Sequence, residues 1–239
     1  MDTVSMRDLV GAHGPFVSVY LPPNVNCLMW QALRGQLVAE SLDDRTVTAL
    51  DEAAMVPPNR LLGQALVVAE GVTLVNEAPA WLPSEPLARL SDLPYLLPLT
   101  PRHSVREPAV ALVNADGASD PVPSERSFFD QFLFEFSRPD GPAVDGLRAC
   151  TEMLRDGNVD ALVIAPEQLG DRTVWVGGTH RDQVSEASAL RATGLAINRQ
   201  RADEALPMAA LAIGAEVVVA PDDLPLTDGV GVLLRHPRA

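Results

Sequence analysis

The sequence predicts an α/β protein made of two small layered domains. Phe16–Leu21 alternates β-forming residues and stops at two prolines, which is typical of a strand. Two β-rich runs flank Glu70-Gly71, which indicates a hairpin. Short apolar runs at 160–165 and 216–220 alternate with helical segments, the pattern of a layered α/β domain.

The first domain is predicted to cover residues 1–115. Its strand at 16–21 is followed by a helical segment at 29–54 and by the hairpin at 65–75. Residues 79–108 contain seven prolines, which fix φ and remove backbone donors, so we expect mostly irregular, extended chain there. The apolar run at 109–113 predicts one more buried strand.

A linker is predicted at 116–126, because Asp, Gly, Ser and Pro dominate that stretch. The second domain then covers 127–239. Its helices are expected at 141–155, 181–193 and 201–213, where Gly214 would end the last one. Its strands are expected at 160–165, 173–176, 216–220 and 230–234.

Charge and composition exclude several classes of protein. The net charge is −14, so the surface as a whole repels nucleic acid and anionic lipid, which makes direct nucleic-acid binding doubtful. No apolar run reaches the roughly 20 residues that span a bilayer, and the first residues do not resemble a signal peptide. We therefore expect a cytoplasmic protein that is not embedded in a membrane.

No catalytic or metal-binding pattern occurs in the sequence. The four histidines are scattered, and the two cysteines, Cys27 and Cys150, form no CxxC pair. We expect a protein that is not an enzyme and that uses no metal and no cofactor. If a binding surface exists, its best candidates are Arg199 and Arg201, which flank a predicted helix start, and the loop residues Asp228, Gly229 and Gly231. The two glycines are better explained by a tight turn than by a phosphate loop, because no helix follows them.

A phenylalanine stripe marks the start of the second domain. Phe128, Phe132 and Phe136 recur at four-residue spacing and so share one helical face. One interpretation is a partner-binding or homodimer interface. The other, which is the commoner arrangement, is packing against the protein's own core.

Eight short segments form an ordered pattern along the chain: Gly14–Tyr20, Gly63–Val68, Leu90–Pro98, Gly141–Leu147, Leu154–Leu162, Arg201–Ala210, Gly214–Val217 and Asp228–Arg235. Taken in order, they resemble a bacterial family related to archaeo-eukaryotic peptide-chain release factors and Pelota. That family includes the Balon-type ribosome hibernation factors, and the likeness is to its actinobacterial branch. The resemblance implies a translation-associated protein, with a ribosome or a translation factor as its partner.

The chain departs from that family in its middle. Full-length relatives have three domains, whereas here the predicted strand at 109–113 leads through 116–126 directly into a domain that resembles their third one. The resemblance therefore implies that the linker stands where the middle domain is missing. In release factors the middle domain carries a Gly-Gly-Gln loop, and no Gly-Gly-Gln occurs in this sequence. The resemblance therefore implies a factor without peptidyl-tRNA hydrolysis. An interaction or scaffold protein that no longer meets the ribosome is the alternative.

Overall fold

The computed structural model describes residues 9–59, 61–83, 85–102, 128–177, 183–186, 197–221 and 223–237. Helices and several small sheets alternate in it, which confirms the α/β fold class. The predicted strand at 109–113 and the linker at 116–126 lie outside the described residues. Within the described parts, no helix is long and apolar enough to cross a membrane.

Four antiparallel strands form the sheet of the N-terminal half. They are β1 (Phe16–Leu21), β2 (Gln64–Ala69), β3 (Val72–Glu77) and β4 (Leu87–Ser91), in the order β3-β2-β1-β4. The predicted hairpin is confirmed: Glu70 and Gly71 both have positive φ, at 50° and 75°, as a tight two-residue turn requires.

Two helices, not one, cover one face of this sheet. The segment predicted as helical at 29–54 divides into α1 (Cys27–Ala39) and α2 (Asp44–Ala54). The break occurs because Ser41 has φ 71° and the Asp43 carboxylate caps α2 by accepting from the amides of Arg45 and Thr46. Apolar side chains of both helices pack on alternate residues of β1 and β2.

The described parts of the proline-rich segment, 79–83 and 85–102, contain more regular structure than the sequence predicts. It contains β4, whose pairing with β1 was missed, and a buried stretch from Leu93 to Leu99 that ends in a 3-10 turn. Prolines here border the strand without interrupting it. The segment was expected to be extended and irregular; Leu87–Ser91 is extended, but as a paired strand and not as irregular chain.

The elements of the C-terminal half were predicted in part. Strands were missed at 143–145 and 197–201, and the helix expected at 141–155 begins only at Leu147. In the segment expected as helix at 181–193, Val184–Ser185 is a strand, and the rest lies outside the described residues except 183 and 186. In chain order the elements are α3 (Phe128–Phe136), β5 (Ala143–Asp145), α4 (Leu147–Arg155), β6 (Val159–Ile164), α5 (Pro166–Leu169), β7 (Thr173–Gly177), β8 (Val184–Ser185), β9 (Ile197–Arg201), α6 (Ala202–Ala212), β10 (Glu216–Val219) and β11 (Val230–Leu234).

These strands form two sheets. One has the order β10-β6-β11-β5, in which β10 and β6 run parallel and the other pairs are antiparallel. The other has the order β8-β7-β9 and is antiparallel. Helix α6 contacts strands of both sheets, so it holds the two layers of the C-terminal half together.

The two halves share one hydrophobic core. A single cluster of buried side chains contains Phe16 and Tyr20 of β1 together with residues of α4, β6 and α6. The buried stretch Leu93–Leu99 belongs to this cluster and contacts α6. Just beyond it, Arg102 bridges in parallel to Val219 of β10. The halves are therefore packed against each other through apolar contacts.

Candidate functional site

An open cleft of about 620 Å³ lies in the C-terminal half. It is bounded by the start of α4, by β7 and β9, and by the turn before β11. Its lining is mostly polar and charged: Leu147, Asp171, Arg172, Thr173, Glu186, Arg199 and Asp228. Two residues proposed from the sequence, Arg199 and Asp228, thus come together although they are far apart in the chain.

Asp228 is held in the cleft by its backbone and by two partners. Its φ of 57° places it in the left-handed region, which is uncommon for a residue with a side chain. Its carboxylate accepts from the Leu147 amide at 3.2 Å, at the start of α4, and pairs with Arg172 Nε at 3.2 Å. Because Gly146 has no side chain to cap α4, Asp228 satisfies one of the free amides of that helix.

Arg199 is the cation of the cleft that is most available to a partner. Its Nε donates to the Thr173 hydroxyl, which fixes the guanidinium against β7. Among the described residues it forms no ion pair, and its side chain is exposed. The terminal nitrogens of Arg199 are therefore suited to a carboxylate or phosphate, which a guanidinium grips in a bidentate fork.

Arg201, the other arginine selected from the sequence, is already paired with carboxylates of its own chain. It donates to Asp203 through Nε and Nη2, both at 3.0 Å, and to Asp171 through Nη1 at 2.8 Å. The hydrogen bonds to Asp203 raise the pKa of Arg201 above its ordinary value. The guanidinium of Arg201 is therefore engaged by Asp171 and Asp203, whereas Arg172, which the sequence analysis did not select, lines the cleft.

Gly229 and Gly231 serve packing. Gly229 has φ 72°, and a Cβ there would lie 2.3 Å from the Leu169 amide nitrogen. A Cβ on Gly231 would lie 2.6 Å from Cζ of Phe132. A tight turn accounts for Gly229, as expected, and close approach of an aromatic ring accounts for Gly231.

The phenylalanine stripe is divided between core and surface. Phe132 is fully buried, so its assignment to an interface was wrong, and the packing interpretation holds for it. Phe128 is partly buried against the same cluster. Phe136 stacks on Phe132 with ring centroids 6.1 Å apart and remains 41% exposed. The neighbouring Phe134, outside the predicted stripe, is 46% exposed.

The cleft has the groups for binding by charge pairing. Its lining, as far as the structure describes it, includes no histidine or cysteine. Across the described ranges, no three His, Cys, Asp or Glu side chains come together as metal ligands would. Its charged groups are Arg172 and Arg199 opposed by Asp171, Glu186 and Asp228.

Comparison with known proteins gives two related matches and no family. No family model matches the chain. Two proteins of Mycobacterium tuberculosis, the uncharacterised protein Rv2629 of strain H37Rv and the uncharacterised protein MT2704 of strain CDC 1551, are each 41% identical to it over 107 residues. The match covers 44% of this chain but only 28% of each relative, so the relatives are longer proteins.

Proposed function

We propose that this protein is a non-enzymatic, cytoplasmic, translation-associated factor that binds the ribosome in stress, dormancy or hibernation, without peptidyl-tRNA hydrolysis. The order of the eight family-like segments motivates the proposal. The observation that supports binding at a particular residue is the exposed guanidinium of Arg199, which lies in the open cleft. Among the described residues, Arg199 has no acidic partner. Ribosomes offer such a group phosphates and acidic side chains.

The acidic chain limits how such binding would work. A net charge of −14 repels RNA at long range, so attachment has to be local and must weaken as salt screens the attraction to Arg199. A protein surface of the ribosome or a translation factor suits these constraints better than bare ribosomal RNA.

Co-sedimentation with ribosomes from stationary-phase cells tests this function. The wild-type chain should pellet with ribosomes at low salt and be released at high salt. Arg199→Glu should weaken binding by about tenfold or more, the usual effect of losing a hydrogen bond to a charged group. Arg45→Glu, at an exposed arginine of the N-terminal half, is the matched control and should bind like wild type.

A wild-type protein that stays wholly in the supernatant at low salt contradicts the proposal. Equal loss of binding in both variants would show that overall charge, not the cleft, controls attachment.

An interaction or scaffold protein is the alternative function. Phe134 and Phe136 of α3 favour it, because both aromatic side chains are more than 40% exposed and a partner could bury them. Light scattering distinguishes the two functions. A stable dimer that dissociates in Phe134→Ser supports the scaffold, and a strict monomer removes its motive.

A further inference from the structure

Two buried carboxylates and a partly buried arginine join the two halves of the protein. Arg89 of β4 reaches the first turn of α6, where its Nη1 lies 2.9 Å from Asp203 Oδ2 and 3.5 Å from Glu204 Oε1. The same guanidinium lies over the Tyr95 ring, 3.9 Å from its centroid. This charged joint therefore connects the N-terminal sheet, the Leu93–Leu99 stretch and α6.

The two carboxylates of the joint are unequally compensated. Asp203 receives two hydrogen bonds from Arg201 as well as the contact with Arg89. Glu204, whose side chain is only 1% exposed, has the longer contact to Arg89, and its Oε2 accepts no hydrogen bond from any described group. The Ser91 hydroxyl, which faces Glu204, donates to the Leu93 carbonyl oxygen at 2.6 Å.

A second buried negative charge beside Asp203 is costly when one of its oxygens has no partner. A neutral carboxyl group at Glu204 removes that cost. We propose that Glu204 is a pH switch built into the contact between the two halves: the joint is closed while Glu204 is protonated and opens when Glu204 ionises. This inference does not depend on ribosome binding.

The electrostatic surroundings of Glu204 support this direction. Burial and then the neighbouring Asp203 raise the pKa of Glu204 to about 7, against partial opposition from Arg89, the nearby Ser91 hydroxyl and Arg201. Asp171 pairs with Arg201 and so offsets part of its charge. Tyr95 is neutral in this pH range, and burial raises its pKa further, to about 12. The ordinary pKa of a glutamate carboxyl group is 4.5. The closed joint therefore holds a proton that an open, hydrated joint releases.

Proton linkage gives the direction in which pH shifts the equilibrium between the closed and the open joint. Between pH 4.5 and 7 the closed state binds more protons than the open state, so raising the pH through this window favours opening. With those two pKa values, the ratio of open to closed joints rises about tenfold between pH 6 and pH 8. Opening would hydrate Glu204 and expose the apolar stretch Leu93–Leu99, which is buried in the closed state.

Hydrogen–deuterium exchange of the full chain between pH 6 and pH 8 measures this opening, once the intrinsic pH dependence of amide exchange is divided out. In the wild type, protection of the β4 and Leu93–Leu99 amides should fall about tenfold over this range. Glu204→Gln, which mimics the protonated group, should keep its protection at pH 8. Glu52→Gln, at an exposed glutamate of α2, should behave like wild type.

Two results would overturn the proposal. One is a wild type whose corrected protection at β4 does not change with pH, and the other is a Glu204→Gln protein that loses protection as wild type does. If Glu204→Gln does not fold, a carbon-13 titration of the wild-type glutamate carboxyls decides. A resonance that titrates near pH 7 supports the switch, and titration of every glutamate near 4.5 rejects it.

Discussion

Gly229 and Gly157 have nearly the same backbone angle but different surroundings. Their φ values are 72° and 66°, a region that costs a residue with a side chain about 1–2 kcal/mol. Around Gly157 nothing lies within 4 Å of an added Cβ, whereas at Gly229 that atom would lie 2.3 Å from a backbone nitrogen of α5. A side chain at Gly157 would therefore meet backbone strain alone, whereas a side chain at Gly229 would also collide with a neighbouring element.

We therefore expect Gly157→Ala to lower the free energy of unfolding by about 1–2 kcal/mol. Gly229→Ala should lower it by about 3–5 kcal/mol, since α5 would have to move as well. Urea unfolding of both variants measures the difference. Equal losses would mean that the turn before β11 can yield, and that Gly229 is required for its backbone angle alone.

At the scale of elements, local signals were predictable and distant pairings were not. The β2–β3 hairpin depends on adjacent residues, Glu70 and Gly71, and was predicted. Strand β4 pairs with β1, more than sixty residues earlier, and β9 is a polar strand that owes its place to β7. Neither has an alternating apolar pattern, so only the tertiary contacts define them.

Helix α3 shows the same limit, because spacing alone does not separate core from surface. Phe132→Ala should lower the free energy of unfolding by about 3–5 kcal/mol, since it empties a fully buried ring site beside Val163 and Val218. Phe134→Ala, on the exposed side of the same helix, should cost about 1 kcal/mol or less. Chemical denaturation of the two variants checks this, and similar losses would contradict the assignment of Phe132 to the core.

The candidate site was half predictable for a related reason. From the sequence, Arg199 and Asp228 were predicted as candidates for a binding surface, and both line the cleft. It could not show that Arg201 is occupied by Asp171 and Asp203, because the first of these is thirty residues away. Arg172 was missed, since nothing near it in the sequence marks it as part of a cleft.

At the scale of the whole molecule, the sequence predicts two α/β units but not the packing of one against the other. The sequence indicated only a linker, whereas apolar residues of both halves form one buried cluster and Arg89 meets Asp203 more than a hundred residues later. Long-range contacts of this kind have no local pattern in a sequence. They imply that neither half keeps its full stability without the other.

Cooperative unfolding tests that implication with the protein's own tryptophans. Trp30 lies in α1 and Trp175 in β7, so each reports on one half. Two variants are needed, one that keeps only Trp30 and one that keeps only Trp175. In each variant, the urea transition followed by tryptophan fluorescence should have the same midpoint and slope as the transition followed by far-UV circular dichroism. This is because a shared core cannot be lost from one half alone. The opposite result would be a Trp175 transition at a clearly different urea concentration from the Trp30 transition, with two steps in the circular dichroism of each variant. The halves would then unfold independently, and the buried contact between them would add little stability.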